Sequence, residues 1–592
     1  MEKMKKMFNL SRLPYFEKWF IMGLIIGVIS GLGALAFYFA IKLFEYLFLT
    51  HMVGATIPHP VGEGGSLAFT YYVRRFYLIP VSTALGGLFS GLIVYTFAPE
   101  AEGHGTDAAI RAFHNEQGKI RRRIPVVKTI ASAITIGSGG SAGREGPTAQ
   151  ISAGLGSLIA DLFGLSDADR RIAVAVGIGS GIGTIFKTPI GGTMLGAEIL
   201  YKRDLETQAI YPSLVANAVG YSIFASVVGF EPIFGYYTAS FQVIRIPYYM
   251  VLGVISGLFA IFYVKSFYGT VAFFKKLKIS NYYKPIIGGG LTGIIALFFP
   301  EIMATGYGWV NLLMNQKLGE IPTFGIPLLL VLILLPFIKV IATSFTVGSG
   351  GSGGVYAPGI FIGAALGTVV AIGFHYLTPS IVPTITPFVI IGMISFFGSA
   401  GKVPLSVILM VVEMTGSLQL LPGAMIATFI AYIISGKYSI YHNQVDTRRD
   451  SPAHFGEYNT PLLLNIKLSD VKCRDISVSD DDDVEHAKTV MIDHGLASIP
   501  VVVYGKLIGA LYLFDIAEIT TGKVREYMRA GITYLRPTST AEEAWEVMMR
   551  NKTTWCPIVY EGKFKGIVTL NDILDAYEAD ISKIMRVSSE FE

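Results

Sequence analysis

Long apolar stretches alternate along this chain with shorter ones that glycine or proline breaks, and that alternation limits what it can become. Segments 21–48, 77–97, 248–268, 326–345 and 358–377 are long enough to cross a bilayer, which takes ~20 residues. Segments 172–182, 189–200, 285–299, 387–397 and 404–412 are apolar but too short for a simple crossing. Short broken helices inside a bilayer expose backbone groups, which is tolerated only where protein or a water-filled path satisfies them. The pattern predicts a mainly α, polytopic membrane protein with a transport path, rather than an anchor or a seven-helix receptor.

Charge divides the chain in two. Residues 446–592 hold 24 of the 43 acids and 17 of the 47 bases, a net −7; residues 1–445 hold the other 19 and 30, a net +11. The first part reads as a membrane body and the second as a water-soluble module. With 52% hydrophobic and 15% charged residues, a disordered chain, a secreted mini-protein and an ordinary cytosolic enzyme are poor readings. The basic flanks set the expected orientation: Lys3, Lys5, Lys6, Arg12 and Lys18 before the first span, and Lys119, Arg121, Arg122 and Arg123 in a later loop, predict cytoplasmic segments. The start does not read as a cleavable signal peptide. The two cysteines, Cys473 and Cys556, lie in the polar tail, outside any Cys/His cluster, so zinc and a disulfide framework are unsupported.

The body repeats itself. GSGGSAGREGP at 137–147 matches GSGGSGGVYAP at 348–358, at an offset of 211, and Gly156 meets Gly367 at the same offset. At an offset of 215, Gly183, Lys187, Pro189 and Glu198 meet Gly398, Lys402, Pro404 and Glu413. PEAEGHG at 99–105 corresponds to PEIMATGYG at 300–308. Three landmarks in the same order mark an internal duplication. Duplicated halves with matching glycine-interrupted segments point to a binding site near the membrane midplane.

Electrostatics suggests the ligand. In each match glycines precede a proline suited to a helix's first turn. The first helical N–H groups lack internal partners, and the helix dipole is positive there. Two such ends facing one spot make an anion site without a full fixed charge, which lets the ion leave quickly. Glu145 stands inside this motif, and an intramembrane carboxylate is functional by default. Ionised, it occupies the anion site itself; protonated, it leaves. The competing reading pairs it with neighbouring Arg144.

These residues resemble the CLC family of chloride channels and proton/chloride exchangers, over nearly the whole chain. Gly143-Arg144-Glu145-Gly146-Pro147 matches the family's G-[KR]-E-G-P motif and implies that Glu145 is the gating glutamate. Gly354-Val355-Tyr356-Ala357-Pro358 matches G-x-F-x-P with tyrosine for phenylalanine, implying that the Val355 and Tyr356 amides hold the central chloride. Ser439-Ile440-Tyr441 resembles the stretch that carries the pore tyrosine, so the Tyr441 hydroxyl would meet the same ion. Gly103-His104-Gly105-Thr106-Asp107 occupies the place of G-S-G-I-P. The implied anion site therefore draws on His104, Gly105, Arg144, Glu145, Gly146, Val355, Tyr356 and Tyr441. The family also implies two inverted halves, here about 20–230 and 246–441, and a homodimer with one pore per subunit. No resident cofactor and no nucleic-acid partner are expected.

Two positions depart from the family. His104 replaces the usual central serine; its ring either donates to the ion or titrates, or points away and leaves backbone amides there. Chloride is the expected ion, with nitrate or another small anion as the alternative. Coupled exchangers often carry an inner glutamate one residue after the position of Glu198, and here that residue is Ile199, which cannot carry a proton. The reading leans slightly to a channel or uncoupled conductance, with proton-coupled antiport as the alternative. A magnesium carrier with a regulatory tail is the rival from another class, but it would want clustered intramembrane carboxylates.

A polar linker at 442–463 leads from the body to the tail, which is duplicated at an offset of 57: Ala487, Met491, Pro500, Gly505, Lys506, Gly509 and Asp515 recur as Ala544, Met548, Pro557, Gly562, Lys563, Gly566 and Asp572. Each unit, about 466–520 and 524–580, reads as helix, strand, Gly-Lys turn, strand, helix. This resembles a pair of CBS domains, which often bind ATP, ADP or AMP. By that resemblance Thr569 would contact phosphate and Asp572 the ribose. In the first unit Asp515 remains, but Tyr512 stands where threonine would be, so one competent site is expected rather than two. A purely structural pairing module is the alternative. The acidic run 480–483 reads as a solvated turn or helix start.

Overall fold

The computed structural model describes residues 13–454, 463–464 and 466–589, with side chains as far as residue 579. Lys3, Lys5, Lys6, Arg12 and most of the second half of the expected linker lie outside the described residues. The chain forms two compact units, one ending at Ala453 and the other starting at His454.

Among the described residues the body contains sixteen α-helices, eight in each half. The first half runs α1 (Tyr15–Glu45), α2 (Ile79–Phe97), α3 (Thr106–Asn115), α4 (Ile124–Gly137), α5 (Glu145–Phe163), α6 (Asp167–Phe186), α7 (Pro189–Glu198) and α8 (Thr207–Val228). The second repeats the order as α9 (Ile246–Lys276), α10 (Lys284–Ala296), α11 (Tyr307–Met314), α12 (Leu328–Gly348), α13 (Tyr356–Leu377), α14 (Thr386–Ala400), α15 (Pro404–Thr415) and α16 (Leu421–Ser435). Among the described residues seven helices are long and apolar enough to cross a membrane. The five long stretches read from sequence lie in α1, α2, α9, α12 and α13. The crossing-length helices at α8 and α16 were not among them. In α8, Pro212 and buried Asn217 break the apolar run. The short segment 172–182 is the centre of a longer helix, α6, whose first turn is charged.

Contacts between the halves come in reciprocal pairs, as a pseudo-two-fold axis requires. Ser132 Oγ meets Ser352 Oγ at 2.8 Å, and Ser141 Oγ meets Thr343 Oγ1 at 2.9 Å, each residue lying 211 from its counterpart. The Glu198 carboxylate at the end of α7 accepts the Leu405 and Ser406 amides that open α15 (3.1 and 2.7 Å). The Glu413 carboxylate near the end of α15 accepts the Ile190 and Gly191 amides that open α7 (3.1 and 2.7 Å). Each carboxylate thus caps the other half's positive helix end. Lys187 and Lys402, matched in sequence, both adopt the left-handed conformation (φ 56° and 55°) and turn their ammonium groups onto carbonyl or hydroxyl oxygens.

Lys18 and the loop before α4 meet at the start of α6. Lys18 in α1 bonds Asp169 (2.6 Å), Arg170 reaches the Gln117 carbonyl, and Arg171 donates to the Ala453 carbonyl. Residues 442–453, read from sequence as linker, are bonded to the body: Val445 bridges Tyr201, Asp446 pairs with Lys202 and Arg203, and Ser451 meets His114. The chain therefore leaves the body about ten residues later than expected.

The tail has the expected repeat. The first unit holds α17 (Val484–Asp493), β1 (Ser498–Val503), β2 (Lys506–Tyr512) and a one-turn α18 (Leu513–Ile516); β3 (Arg529–Ala530) then pairs with β2. The second holds α19 (Ala541–Asn551), β4 (Trp555–Tyr560), β5 (Lys563–Thr569) and α20 (Leu570–Ser589). Both hairpins turn through two residues of positive φ, Tyr504-Gly505 and Glu561-Gly562, as a tight turn between twisted strands demands. The matched Gly509 and Gly566 lie where a neighbouring carbonyl crosses, Arg529 O and Arg474 O, each about 2.5 Å from where a Cβ would stand. The acidic run supplies the N-cap of α17 through Asp483 and pairs Asp481 with Arg525. Burial pushes the Cys556 thiol up to about 12, so it is an inert core group.

The repeated Gly156 and Gly367 explain why small residues recur: a Cβ at Gly367 would lie 2.0 Å from the Phe388 carbonyl of α14, and one at Gly156 2.5 Å from that of Ala173 in α6. Gly367→Ala is expected to lower the melting temperature of the detergent-solubilised protein, an overpacking cost of about 1–3 kcal/mol. Gly373→Ala, with nothing within 4 Å of its Cβ position, is the control and is expected to be neutral or mildly stabilising.

Candidate functional site: a three-loop junction of helix ends

The glycine loops that precede α5 and α13 meet at the pseudo-axis. Gly143 N–H donates to the Gly354 carbonyl (2.7 Å) and Gly354 N–H to that of Gly143 (2.6 Å), so each residue bonds its own counterpart. The loop before α3 joins them: Gly103 N–H donates to Gly351 O (3.0 Å), and Gly353 N–H donates to Gly103 O (3.2 Å). Bare backbone is required at this crossing. A Cβ at Gly146 would stand 2.0 Å from the His104 carbonyl, and Gly105 has φ 83°. The N-termini of α3, α5 and α13 converge here, and their first-turn amides have no intrahelical acceptors.

Glu145 opens α5 and is 1% exposed. Its Oε2 accepts the Ala357 amide in the first turn of α13 (3.1 Å), and its Oε1 accepts the Tyr307 hydroxyl (2.6 Å). The carboxylate therefore occupies one of the amide positions at which a helix end favours an anion. Gly143 and Gly354 flank it; a Cβ at Gly143 would lie 2.0 Å from Oε2. Arg144 is turned elsewhere. Its guanidinium forms a buried pair with Glu63 and lies over the rings of Tyr38, Phe186 and Tyr307, 5.5–6.0 Å from their centres. The competing reading, a pairing of Arg144 with Glu145, gives way to Arg144–Glu63, and Arg144, expected at the anion, presents a neutralised group instead.

Val355 and Tyr356 are buried at the start of α13, and the Val355 carbonyl accepts the Tyr263 hydroxyl (3.0 Å). The Tyr356 ring packs on Phe397 (4.4 Å between centres), Phe397 on Tyr441 (6.5 Å) and Tyr441 on His104 (5.6 Å), an aromatic line leading from the Glu145 end of the site. His104 Nδ1 accepts the Asp107 amide at 3.5 Å, which leaves Nε2 to carry the proton of a neutral ring. His104 lines a cavity of about 460 Å³ together with Gly105, Asp107, Phe267, Tyr268 and Asn443. A smaller one of about 50 Å³ is lined by Glu63, Arg144 and Tyr307, the last of which bonds Glu145.

Glu198 and Ile199 stand apart from this junction in role. The Glu198 carboxylate is filled by α15 amides and the Ser406 hydroxyl, while buried Ile199 offers its carbonyl to Gln444 Nε2 (3.0 Å). Reading the sequence missed Tyr307, although the third repeat match sets Gly306-Tyr307-Gly308 against Gly103-His104-Gly105. It also missed Lys128 and Lys339, which are 211 apart and fully buried. Lys128 Nζ donates to the Ala101 and Gly103 carbonyls (2.9 and 2.8 Å), and Lys339 Nζ to those of Ile302 and Ala304 (2.8 and 3.1 Å).

In the tail, Asp572 is engaged from several sides. Its carboxylate, 1% exposed, accepts two donors from Arg474 (2.7–3.1 Å) and the Thr569 amide and hydroxyl. Burial alone would raise its pKa, but the bonds from Arg474 and Thr569 outweigh that and hold it below the ordinary aspartate range. Asp515 is held likewise by Arg529 (2.6 and 2.7 Å), whose guanidinium lies 5.1 Å from the Tyr512 ring centre.

Comparison with known proteins identifies the family. The model of the voltage gated chloride channel family matches residues 86–436, and that of the CBS domain matches 468–521 and 524–579. The chain is 27% identical over 461 residues to the H(+)/Cl(-) exchange transporter ClcA of Salmonella arizonae, covering 75% of this chain and 92% of the relative. It is 25% identical over 419 residues to the voltage-gated ClC-type chloride channel ClcB of Escherichia coli O81, covering 70% and 95%. The fold is similar to that of a slow cyanobacterial Cl-/H+ antiporter, with a TM-score of 0.61 and 21% identity over 73% of this chain and 97% of the other. With more than half its length matched by that family model and a junction of helix ends at its centre, the chain belongs to the voltage gated chloride channel family of chloride transporters, with a CBS pair as its tail.

Proposed function

We propose that chloride crosses the membrane from the 460 Å³ cavity at His104, past Tyr441 and the first-turn amides of α13, to the position now held by the Glu145 carboxylate. The carrying observation is the bond from the Ala357 amide to Glu145 Oε2: carboxylate and anion want the same partial charge, so one excludes the other. Protonation weakens the carboxylate's hold and opens the site. Arg144, neutralised by Glu63, adds no full charge that would trap the ion.

Passive conductance is favoured over proton antiport. Ile199 carries no proton, and Glu198 is committed to capping α15. In the homodimer expected of such a chain, each subunit would hold its own path. Lys18 and the basic 116–123 loop support a cytoplasmic N-terminus and tail. The tail would bind an adenine nucleotide at Thr569 and Asp572, and the ribose would have to displace Arg474. The first unit's pair is fixed further by the Tyr512 ring under Arg529, which favours a single working site.

Chloride efflux from liposomes tests the gate. Wild type is expected to speed up severalfold on acidification, and Glu145→Gln to run at the fast rate at every pH; a Gln variant with an unchanged pH response would remove Glu145 from this role. In the same vesicles a chloride gradient is expected to drive no uphill proton movement, and robust pumping would overturn the channel reading. Calorimetry of the full chain with AMP and ATP is expected to give tighter binding for Arg474→Ala than for wild type, by tenfold or less because solvent screens the partly exposed guanidinium (about 1.4 kcal/mol at tenfold). Absence of binding in both would leave the tail a structural module.

A further inference from the structure

A carboxylate at the mouth of an anion path calls for a reason, and Asp107 lines the 460 Å³ cavity beside His104. Its two oxygens are both occupied by one residue 336 positions away. Oδ1 accepts the Asn443 amide (2.8 Å), and Oδ2 accepts Asn443 Nδ2 (2.5 Å). Asp107 lies in the first turn of α3, three residues after His104, and Asn443 follows Tyr441 by two. The clasp therefore ties the two segments that bring the His104 and Tyr441 rings together, 5.6 Å between centres.

The turn carrying Tyr441 is held on its other sides by different partners. Ile440 N–H donates to the Ala400 carbonyl at the end of α14 (2.8 Å), and Tyr268 of α9 donates to the Ile440 carbonyl (2.7 Å). Gln444 Nε2 donates to the Ile199 and Gly401 carbonyls. These bonds fix the turn to α9, to α14 and to the end of α7. Two contacts link it to α3: a hydrogen bond between the Tyr441 hydroxyl and Thr106, and the Asp107–Asn443 clasp, which holds the backbone of the turn.

We infer that Asp107 is a positioning residue for anion selectivity: by holding Asn443 it sets the spacing between His104 and Tyr441, and hence which small anion fits between them. This rests on the proposed anion path and adds to it. The role depends on acceptor geometry and not on charge. Asparagine at 107 keeps an acceptor for the Asn443 amide, and the Asn443 side chain can turn its own oxygen to meet the new Nδ2, whereas alanine loses both bonds.

The test is the chloride-to-nitrate permeability ratio from reversal potentials, with the full chain reconstituted in planar bilayers. Asp107→Ala is expected to shift the ratio severalfold, Asp107→Asn to keep the wild-type ratio, and the exchange Asp107→Asn with Asn443→Asp to keep it as well, since the backbone amide of residue 443 still donates to residue 107 and the side-chain bond re-forms with donor and acceptor reversed. An unchanged ratio in Asp107→Ala overturns the inference, and so does an Asp107→Asn variant that behaves like Asp107→Ala, because the charge would then be what matters. Should Asp107→Ala fail to fold, Asn443→Ala, which keeps the backbone bond and loses the side-chain bond, carries the test: the inference requires a smaller shift in the same direction, and none overturns it. A wild-type chain that conducts neither anion would fail the proposed function itself, which distinguishes the two failures.

Discussion

Everything in the body turns on two glycine loops bonding each other across a pseudo-two-fold axis. Gly143 and Gly354 each donate to the other, with no side chain between them. That contact sets the starts of α5 and α13 at one place, and a positive helix end attracts negative charge whether a residue or a solute supplies it. Glu145 opens one of these helices and fills the end of the other. The carboxylate is part of the scaffold, and on the proposed function it is also the rival of the transported ion, a double role that would make the path pH-sensitive.

Several full charges near the junction of helix ends are disarmed. Glu63 neutralises Arg144; Lys128 and Lys339 spend their ammonium groups on carbonyls that shape the turns before α3 and α11. Glu198 and Glu413 cap one another's half. What remains at the junction itself, beside the Glu145 carboxylate, is amide, hydroxyl and imidazole, suited to holding an anion without retaining it. The twin lysines and twin glutamates also show that duplication extends beyond the motif glycines to the groups that brace them.

Much of this was legible from residues alone. The offsets of 211 and 215 identified the loops, the matched lysines at 187 and 402 and the capping glutamates before any coordinate, because helix starts and tight turns demand particular residues at particular positions. The 57-residue offset did the same for the tail. What could not be read was the partner of each charged group. Glu63 lies 81 positions before Arg144 and Asn443 lies 336 after Asp107, and no local pattern announces either pair. Arg144 was accordingly expected beside Glu145 or at the anion. The linker was drawn too long for a similar reason: 442–453 is polar, yet its polar groups are bonded to the body. The crossing length of α8 is hard to read from sequence because Pro212 and Asn217 interrupt its apolar run.

The central claim is that Glu145 and chloride compete for the same helix end. Titrating chloride into the purified protein by calorimetry, in buffers of different ionisation enthalpy, measures whether protons are taken up as the ion binds. The account predicts proton uptake with chloride in the wild type and none in Glu145→Gln, since thermodynamic linkage requires that an ion displacing a carboxylate favour its protonation. Chloride binding without proton uptake in the wild type, or equal uptake in both proteins, would contradict it.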